Sequence, residues 1–273
     1  MRSGRLAAAW LCLLTMLMPV VALAQQQVEM LRLCADEQPL YPWRLADAGA
    51  APPAQQRGLD FLLLETAARR LGLKLVFTAL PWRRCQADLQ QGLQDGALGM
   101  SFRRDRMGLG VFPLRDGEPD EGLRMRRERY SLYKLADQAL HWDGKTLSAS
   151  SGQDLVVGAQ SGYSIVEQLG SMGLKVDAGT RSVEANLEKL LRGRVQAVAL
   201  LSGEGDDALK RDERKAALLR RLDPPLVEKS YFLVFSRAYF AAHEPLARRL
   251  WAELALVRES AEFKRAEAEL LRD

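Results

Sequence analysis

The sequence predicts an α/β fold of two lobes, each a mostly parallel β-sheet flanked by helices, with two strands crossing between the lobes. Three observations predict it. Short apolar runs alternate with amphipathic stretches in two separate blocks, 29–101 and 154–201, and strand–helix–strand order demands parallel strands joined by right-handed crossovers. Two further alternating segments, 130–136 and 225–236, flank the second block and read as strands that carry the chain between lobes. The length of 273 residues, 48% apolar and 27% charged, suits one large or two medium domains without a disordered tract.

The first residues, 1–24, read as a secretory signal peptide. Arg2 and Arg5 make a basic start, 6–21 is an uncharged apolar run broken by Pro19, and Ala22 and Ala24 occupy the small-residue positions read by a signal peptidase, which places the cut before Gln25. A membrane anchor is the other reading of such a run; Pro19 and the alanine site favour cleavage. Cys12 lies inside the run and not at a lipid-attachment site.

The first strand follows at 29–36. Residues 58–73 have apolar positions at helical spacing and a stop at Gly72. Residues 74–80 form a second strand before Pro81, 82–93 a second helix, and 95–101 a short third strand. A polar stretch, 113–129, separates the blocks. The second block reads as a strand at 154–160, helices at 164–174 and 184–194, and a strand at 195–201, with a helix or helix edge at 208–222. One or two amphipathic helices close the chain from 243 to 271. Lobe one then comprises 25–129 and 233–273 and lobe two 134–228, with hinge strands near 130–133 and 229–232. A cleft between such lobes is a natural site for a small ligand, because the loops of parallel sheets converge there.

Composition excludes some functions. Without Arg2 and Arg5 the formal charge falls from +4 to about +2, the positive charges are interspersed with acids, and basic residues do not alternate with aromatic ones; nucleic acid is not an expected partner. His141 and His243 stand far apart with no ligand spacing, so no metal and no cofactor is expected. Cys34 and Cys85 remain after the signal. An even pair in an exported chain favours one disulfide over two buried thiols.

Five segments in order carry a resemblance: "LRLCAD" (31–36), "RGLDFLLLETAARRLGLKLVF" (57–77), "PWRRCQADLQQGLQDGALGMSFRRDR" (81–106), "VVGAQSGYS" (156–164) and "LLRGRVQAVAL" (190–200). The chain resembles the bacterial periplasmic solute-binding proteins of family 3, best known for polar amino acids. The resemblance implies a type II periplasmic-binding-protein fold, a periplasmic location, a monomer, and a small polar or anionic solute passed to the permease of an ABC importer or to a sensor protein. It implies that Arg106 grips a ligand carboxylate, a task suited to the planar, permanently charged guanidinium fork, with Ser101 and the backbone of Gly99 as neutral donors beside it. Arg103 and Arg104 read as solvated surface, and Asp105 as a local partner or cap. Gln160, Ser161, Gly162, Tyr163 and Ser164 form the second-lobe loop, where backbone N–H groups can receive an anion and Ser164 either caps a helix or meets the ligand. Trp82 and Tyr41 are candidate aromatic walls, and Asp36 either accepts a polar ligand group or caps a turn. In the implied fold the strand of Cys34 and the helix of Cys85 are neighbours, which suits a bridge.

One departure stands out. The acid that neutralises an α-ammonium in the resembling proteins corresponds to Leu201 here, and Gln196 replaces an earlier aspartate. A buried ammonium without a carboxylate is costly. Either Glu204, Asp36 or another acid substitutes, or the ligand is not an ordinary α-amino acid. Two other functions fit the same scaffold: a periplasmic enzyme of the cyclohexadienyl dehydratase kind, for which Glu65, Asp36 and Glu204 are the available acids, and a sensing lobe pair acting through a membrane receptor.

Overall fold

The computed structural model describes residues 29–45, 57–150 and 154–272. The signal-peptide reading and the cut before Gln25 lie outside the described residues.

Lobe one begins with β1 (Met30–Asp36). α1 (Leu59–Leu71) buries Leu59, Leu63, Leu64 and Ala67 at helical spacing and stops at Gly72, which takes the left-handed conformation at φ 69°. β2 (Lys74–Leu80) pairs in parallel with β1 along its whole length. α2 (Trp82–Gln90) leads to β3 (Gly96–Ser101), which is buried throughout and parallel to β1. A 3-10 turn at Arg104–Gly108 and a small hairpin, β4 (Leu114–Arg115) with β5 (Glu118–Pro119), precede the crossing.

β6 (Arg126–Leu135) carries the chain into lobe two. There follow the hairpin β7 (Leu140–Trp142) and β8 (Leu147–Ala149), then β9 (Val156–Gln160), α3 (Ile165–Ser171), β10 (Lys175–Thr180), α4 (Val183–Leu191) and β11 (Ala197–Leu201). α5 (Ser202–Lys210), α6 (Glu213–Leu218) and β12 (Leu219–Arg221) complete the lobe. β13 (Val227–Phe235) returns to lobe one, where α7 (Arg237–Arg258) and α8 (Ala261–Leu270) pack against α1.

The main sheet runs β10-β9-β11-β6-β13-β3-β1-β2, with β12 also on β6. Its middle pair makes the connection between lobes. The first half of β6 and the first half of β13 pair antiparallel, from Arg126↔Tyr231 to Tyr130↔Val227. Their other halves diverge: β6 continues along β11 and β12, and β13 continues along β3. Two strands thus belong to both lobes, and rotation of one lobe on the other must bend this pair.

Several elements differ from the sequence reading. β6 starts at Arg126 rather than 130, because charged residues there occupy buried strand positions. β10 was not expected; it lies at the end of the sheet, with no fully buried residue and no apolar run to announce it. The expected helix over 208–222 resolves into the end of α5, then α6 and β12. α7 begins at Arg237 and kinks at His243 (φ −133°), just ahead of Pro245, which has no N–H to donate and crowds the preceding turn.

Cys34 and Cys85 form a disulfide, with a Cα–Cα distance of 5.7 Å across a sequence separation of 51 residues. It ties β1 to the start of α2 within an apolar cluster that includes Trp82, Leu89, Phe112 and Phe232. Closing a loop of that length restricts the unfolded chain by roughly 4 kcal/mol in the chain-entropy account. Replacing both cysteines by alanine is expected to cost about 2–4 kcal/mol in urea unfolding, with the native far-UV spectrum retained; an unchanged midpoint would contradict the structural role.

Candidate functional site

Four strands end toward the interface between the lobes. Asp36 ends β1, Ser101 ends β3, Gln160 ends β9 and Leu201 ends β11. These are the carboxyl ends of parallel strands, where open α/β sheets present ligand groups. The cavity between the lobes is lined by Asp36, Trp82, Gly99, Ser101, Arg106, Tyr163, Ser164 and Leu201, with Leu40, Arg44, Leu98, Arg126, Tyr130 and Tyr231 completing the wall. It holds about 30 Å³, the room of about one water molecule. A solute of several heavy atoms enters only if the lobes part.

Arg106 is the centre of this interface. It sits in the 3-10 turn after β3 and is 4% exposed. Its Nη1 donates to the Ser101 carbonyl at 3.1 Å and to Ser101 Oγ at 2.8 Å, and its Nη2 donates to the Gly162 carbonyl of the other lobe at 3.2 Å. All three acceptors are neutral. No carboxylate pairs with it among the described residues. Burial, and then the charge of Arg103, pull its pKa below the usual guanidinium value. A guanidinium remains charged even so, and a buried cation with only neutral partners is an electrostatic demand for an anion.

The other residues of the second-lobe loop face lobe one. Tyr163 donates its hydroxyl proton to Asp36 Oδ2 at 2.7 Å. Ser164 stands at the start of α3 without a side-chain capping bond; its Oγ lies 3.1 Å from Ser101 Oγ and accepts from Lys229 Nζ at 3.0 Å. The hydroxyl is therefore spent on the cleft and not on the helix end. Arg103 is not solvated surface: its side chain is mostly buried and bridges Asp105 to Glu167 across the lobes. Arg104 does point outward, to Glu118. Gly99 adopts φ 64°, and a Cβ there would lie 2.9 Å from both terminal nitrogens of Arg126; only glycine lets that guanidinium lie against the strand.

Arg126, Arg44, Asp60 and Glu128 escaped the sequence reading, and their charges act together with that of Glu204, which it named as an available acid. Arg126 is clamped between the rings of Trp43 and Tyr231, at 5.2 and 4.9 Å from their centroids, and its Nη1 donates to Asp60 Oδ2 at 2.6 Å. Such sandwiching with a buried carboxylate fixes the cation firmly. Its Nη2 and Nε are buried without a hydrogen-bond partner. Arg44, 3.4 Å from Asp60, lines both this cavity and a neighbouring one of about 240 Å³. Burial raises Asp36, with the Arg44 charge and the Tyr163 bond opposing it. Burial likewise pushes Glu128 up to about 7 and Glu204 up to about 8, in each case against a nearby arginine.

The expected site residues do not all share one cavity. Asp36, Trp82, Gly99, Ser101, Arg106, Tyr163 and Ser164 line the cleft. Gly162 faces it through its carbonyl and lines an outer cavity of about 280 Å³ together with Arg106, Arg83 and Arg103. Tyr41 lines the neighbouring cavity with Glu204, Glu184 and Asp207, and its hydroxyl donates to the Leu270 carbonyl. Gln160 is buried behind the cleft, its amide nitrogen 3.4 Å from the Arg181 carbonyl. Glu65 is exposed on α1. Leu201 stands in the cleft wall, buried at 2% exposure.

Neither protein-family models nor curated proteins match this chain. Solved structures do. A mutant arginine-binding protein of T. maritima is 16% identical, with 89% of this chain and 96% of that one covered at a TM-score of 0.66. An amino acid ABC transporter substrate-binding protein of Streptococcus pneumoniae, solved with L-arginine, is 16% identical over 89% of this chain and 94% of that one, at 0.68. A histidine kinase sensor domain with similarity to periplasmic binding proteins is 14% identical over 89% and 96%, at 0.67. The likeness spans both lobes and the crossing, and it shows that the chain has the two-lobed fold of periplasmic binding proteins. Among the described residues no helix is long and apolar enough to cross a membrane.

Glu204 supplies a pH test of this electrostatic picture. Its folded pKa of about 8 lies above the unfolded value near 4.5, so its contribution to stability is fully present below about pH 4.5 and is lost as pH rises to about 8. Glu204→Gln mimics the protonated form. Its melting temperature should match the parent near pH 5 and exceed it by several degrees near pH 9; a gap that does not change with pH would contradict the buried, proton-holding carboxyl.

Proposed function

We propose that this chain is a periplasmic solute-binding protein that closes its two lobes on a small carboxylate-bearing solute, with Arg106 as the carboxylate anchor. The observation that carries the reading is the buried guanidinium of Arg106, bonded to neutral oxygens of both lobes and to no acid. A carboxylate placed there would satisfy its charge and touch both lobes at once, so solute affinity becomes closure energy. The moving bodies are 25–129 with 233–273 and 134–228, hinged near 130–133 and 229–232. Asp36, Trp82, Gly99, Ser101, Gly162, Tyr163 and Ser164 surround the solute in this reading, and Gln160 and Tyr41 support the walls. The protein works as a monomer and delivers its solute to a membrane partner. The transporter proteins and the sensor domain among its structural neighbours support the two kinds of partner, an ABC-type importer and a sensor.

A second reading has one observation in its favour. Glu204 is a buried carboxyl that holds its proton near neutral pH, as a general acid must. It faces the neighbouring cavity, whereas Arg106 faces the cleft, so an enzyme would need a substrate reaching both. Turnover of a cyclohexadienyl acid, abolished in Glu204→Gln, would establish that reading over simple binding.

The test of the leading reading is a thermal-shift screen with small organic acids and amino acids, since a solute that binds only the folded protein raises its melting temperature. Arg106→Ala should then weaken the best solute by about 2–5 kcal/mol, at least about thirtyfold, as expected when one partner of a buried charge pair is removed. Unchanged affinity in Arg106→Ala would overturn the assignment.

A further inference from the structure

Resting on Arg106 as an anion anchor, the cleft also indicates what the solute carries at its other end. Lys229, near the start of the return strand β13, was not among the residues expected from the sequence. It is half-buried, 5.7 Å from the centre of the Tyr130 ring, and bonded to the hydroxyl and carbonyl of Ser164. Like Arg106, it has no carboxylate partner among the described residues. The two cations stand at the ends of one chain of hydroxyls: Arg106 bonds Ser101, Ser101 bonds Ser164, and Ser164 bonds Lys229. Two cations joined through two neutral side chains is an arrangement with charge to spare at both ends.

The surrounding groups do not remove that charge. Asp60 is taken up by Arg126 and Arg44. Asp36 accepts from Tyr163 and lies within the field of Arg44. Glu167, whose charge reaches Lys229, is bonded to Arg103, and Glu128, opposite Lys229 across the β6–β13 pair, lies 3.9 Å from Arg126 Nε. Burial and the charges of Arg106 and Arg103 hold the Lys229 pKa down at about 8. Arg126 adds a buried Nη2 without a hydrogen-bond partner at the same wall. Arg44, Arg106 and Arg126 line this cavity against one acid, Asp36; Lys229 adjoins it through Ser164, and Asp60 and Glu128 are ion-paired with Arg126. The end of β11 offers an ammonium only Leu201, and Glu204 lines the neighbouring cavity beyond Arg44. The outer cavity leading to Arg106 bears Arg83 and Arg103 together with Asp105 and Glu167, both of which are paired with Arg103.

We propose that the solute is a small dianion, a short dicarboxylate without an α-ammonium, with one carboxylate held by Arg106 and the other by Lys229 at the two ends of the Ser101–Ser164 hydroxyl pair. The serines separate the two anion positions and give each a neutral donor, and the rings of Trp82, Tyr130, Tyr163 and Tyr231 enclose the carbon chain between them.

The test uses the whole exported protein with oxalate, malonate, succinate and glutarate, set against acetate, butyrate, L-glutamate, L-glutamine and L-arginine. Thermal shift ranks the probes and calorimetry measures affinity in the parent, Lys229→Gln and Lys229→Arg. The inference predicts that at least one dicarboxylate binds more tightly than every monocarboxylate and amino acid, that Lys229→Gln weakens it at least about tenfold, and that Lys229→Arg, which keeps the charge, restores most of that loss. Tightest binding of a monocarboxylate or an amino acid, with loss in Arg106→Ala but not in Lys229→Gln, would overturn the dianion and leave the carboxylate-binding reading standing. Equal loss in Lys229→Gln and Lys229→Arg would also overturn it, since charge would not be what Lys229 supplies. Absence of binding by all the dicarboxylates overturns the dianion, and absence of binding by every probe overturns both readings.

Discussion

Burying Arg106 without an acid partner is the constraint on which the interface between the lobes depends. A cation out of water needs several hydrogen bonds or an opposite charge. Lobe one supplies the Ser101 carbonyl and hydroxyl, and lobe two supplies the Gly162 carbonyl. The remaining contacts across the cleft, Tyr163 on Asp36, Ser101 on Ser164 and Arg103 on Glu167, gather around this one. Each is polar, and each can be exchanged for water or a solute group at modest cost. An interface built this way can open, as one packed from interlocking apolar side chains cannot do cheaply.

The fold positions these contacts through two strands. β6 and β13 are shared by both lobes, and three of the cleft's cations are on or beside them: Arg126 on β6, Lys229 on β13, and Arg106 in the turn after β3, which pairs with β13. Arg126 is held by Asp60 from α1 and by two aromatic rings, so the lobe-one end of the crossing is rigid. Among the described residues Lys229 is held by Ser164 of lobe two and by the Tyr130 ring. The electrostatic groups of the site are therefore mounted on or beside the two strands shared by the lobes, so a rotation of one lobe on the other would carry these charges with it.

Much of the fold was legible in the sequence because its apolar periodicity is strong in both blocks. The strand over 74–80 falls where the alternation and Pro81 place it, and Gly72 ends α1 as its position suggests. Arg106, Ser101, Tyr163 and Leu201 were recognisable because they lie in ordered motifs. What escaped has a common physical reason. Arg126 and Glu128 sit in "RMRRER", a run that reads as a polar loop, yet alternate residues of it are buried strand positions stabilised by aromatic and ionic partners distant in sequence. Period-two burial, without period-two hydrophobicity, gives no apolar signal. Arg44 and Asp60 are buried as a pair 16 residues apart, and Lys229 lies between Glu228 and Ser230 in the polar first half of β13, where it reads as a solvated lysine.

The central claim is that the charge of Arg106 is completed by a carboxylate of the solute. The most direct measurement is the crystal structure of the protein grown with the carboxylate that most raises its melting temperature. The account predicts a carboxylate in two-point contact with the Arg106 guanidinium, between Ser101 and the 160–164 loop. A solute seated elsewhere, with Arg106 still bonded only to Ser101 and Gly162, would contradict it.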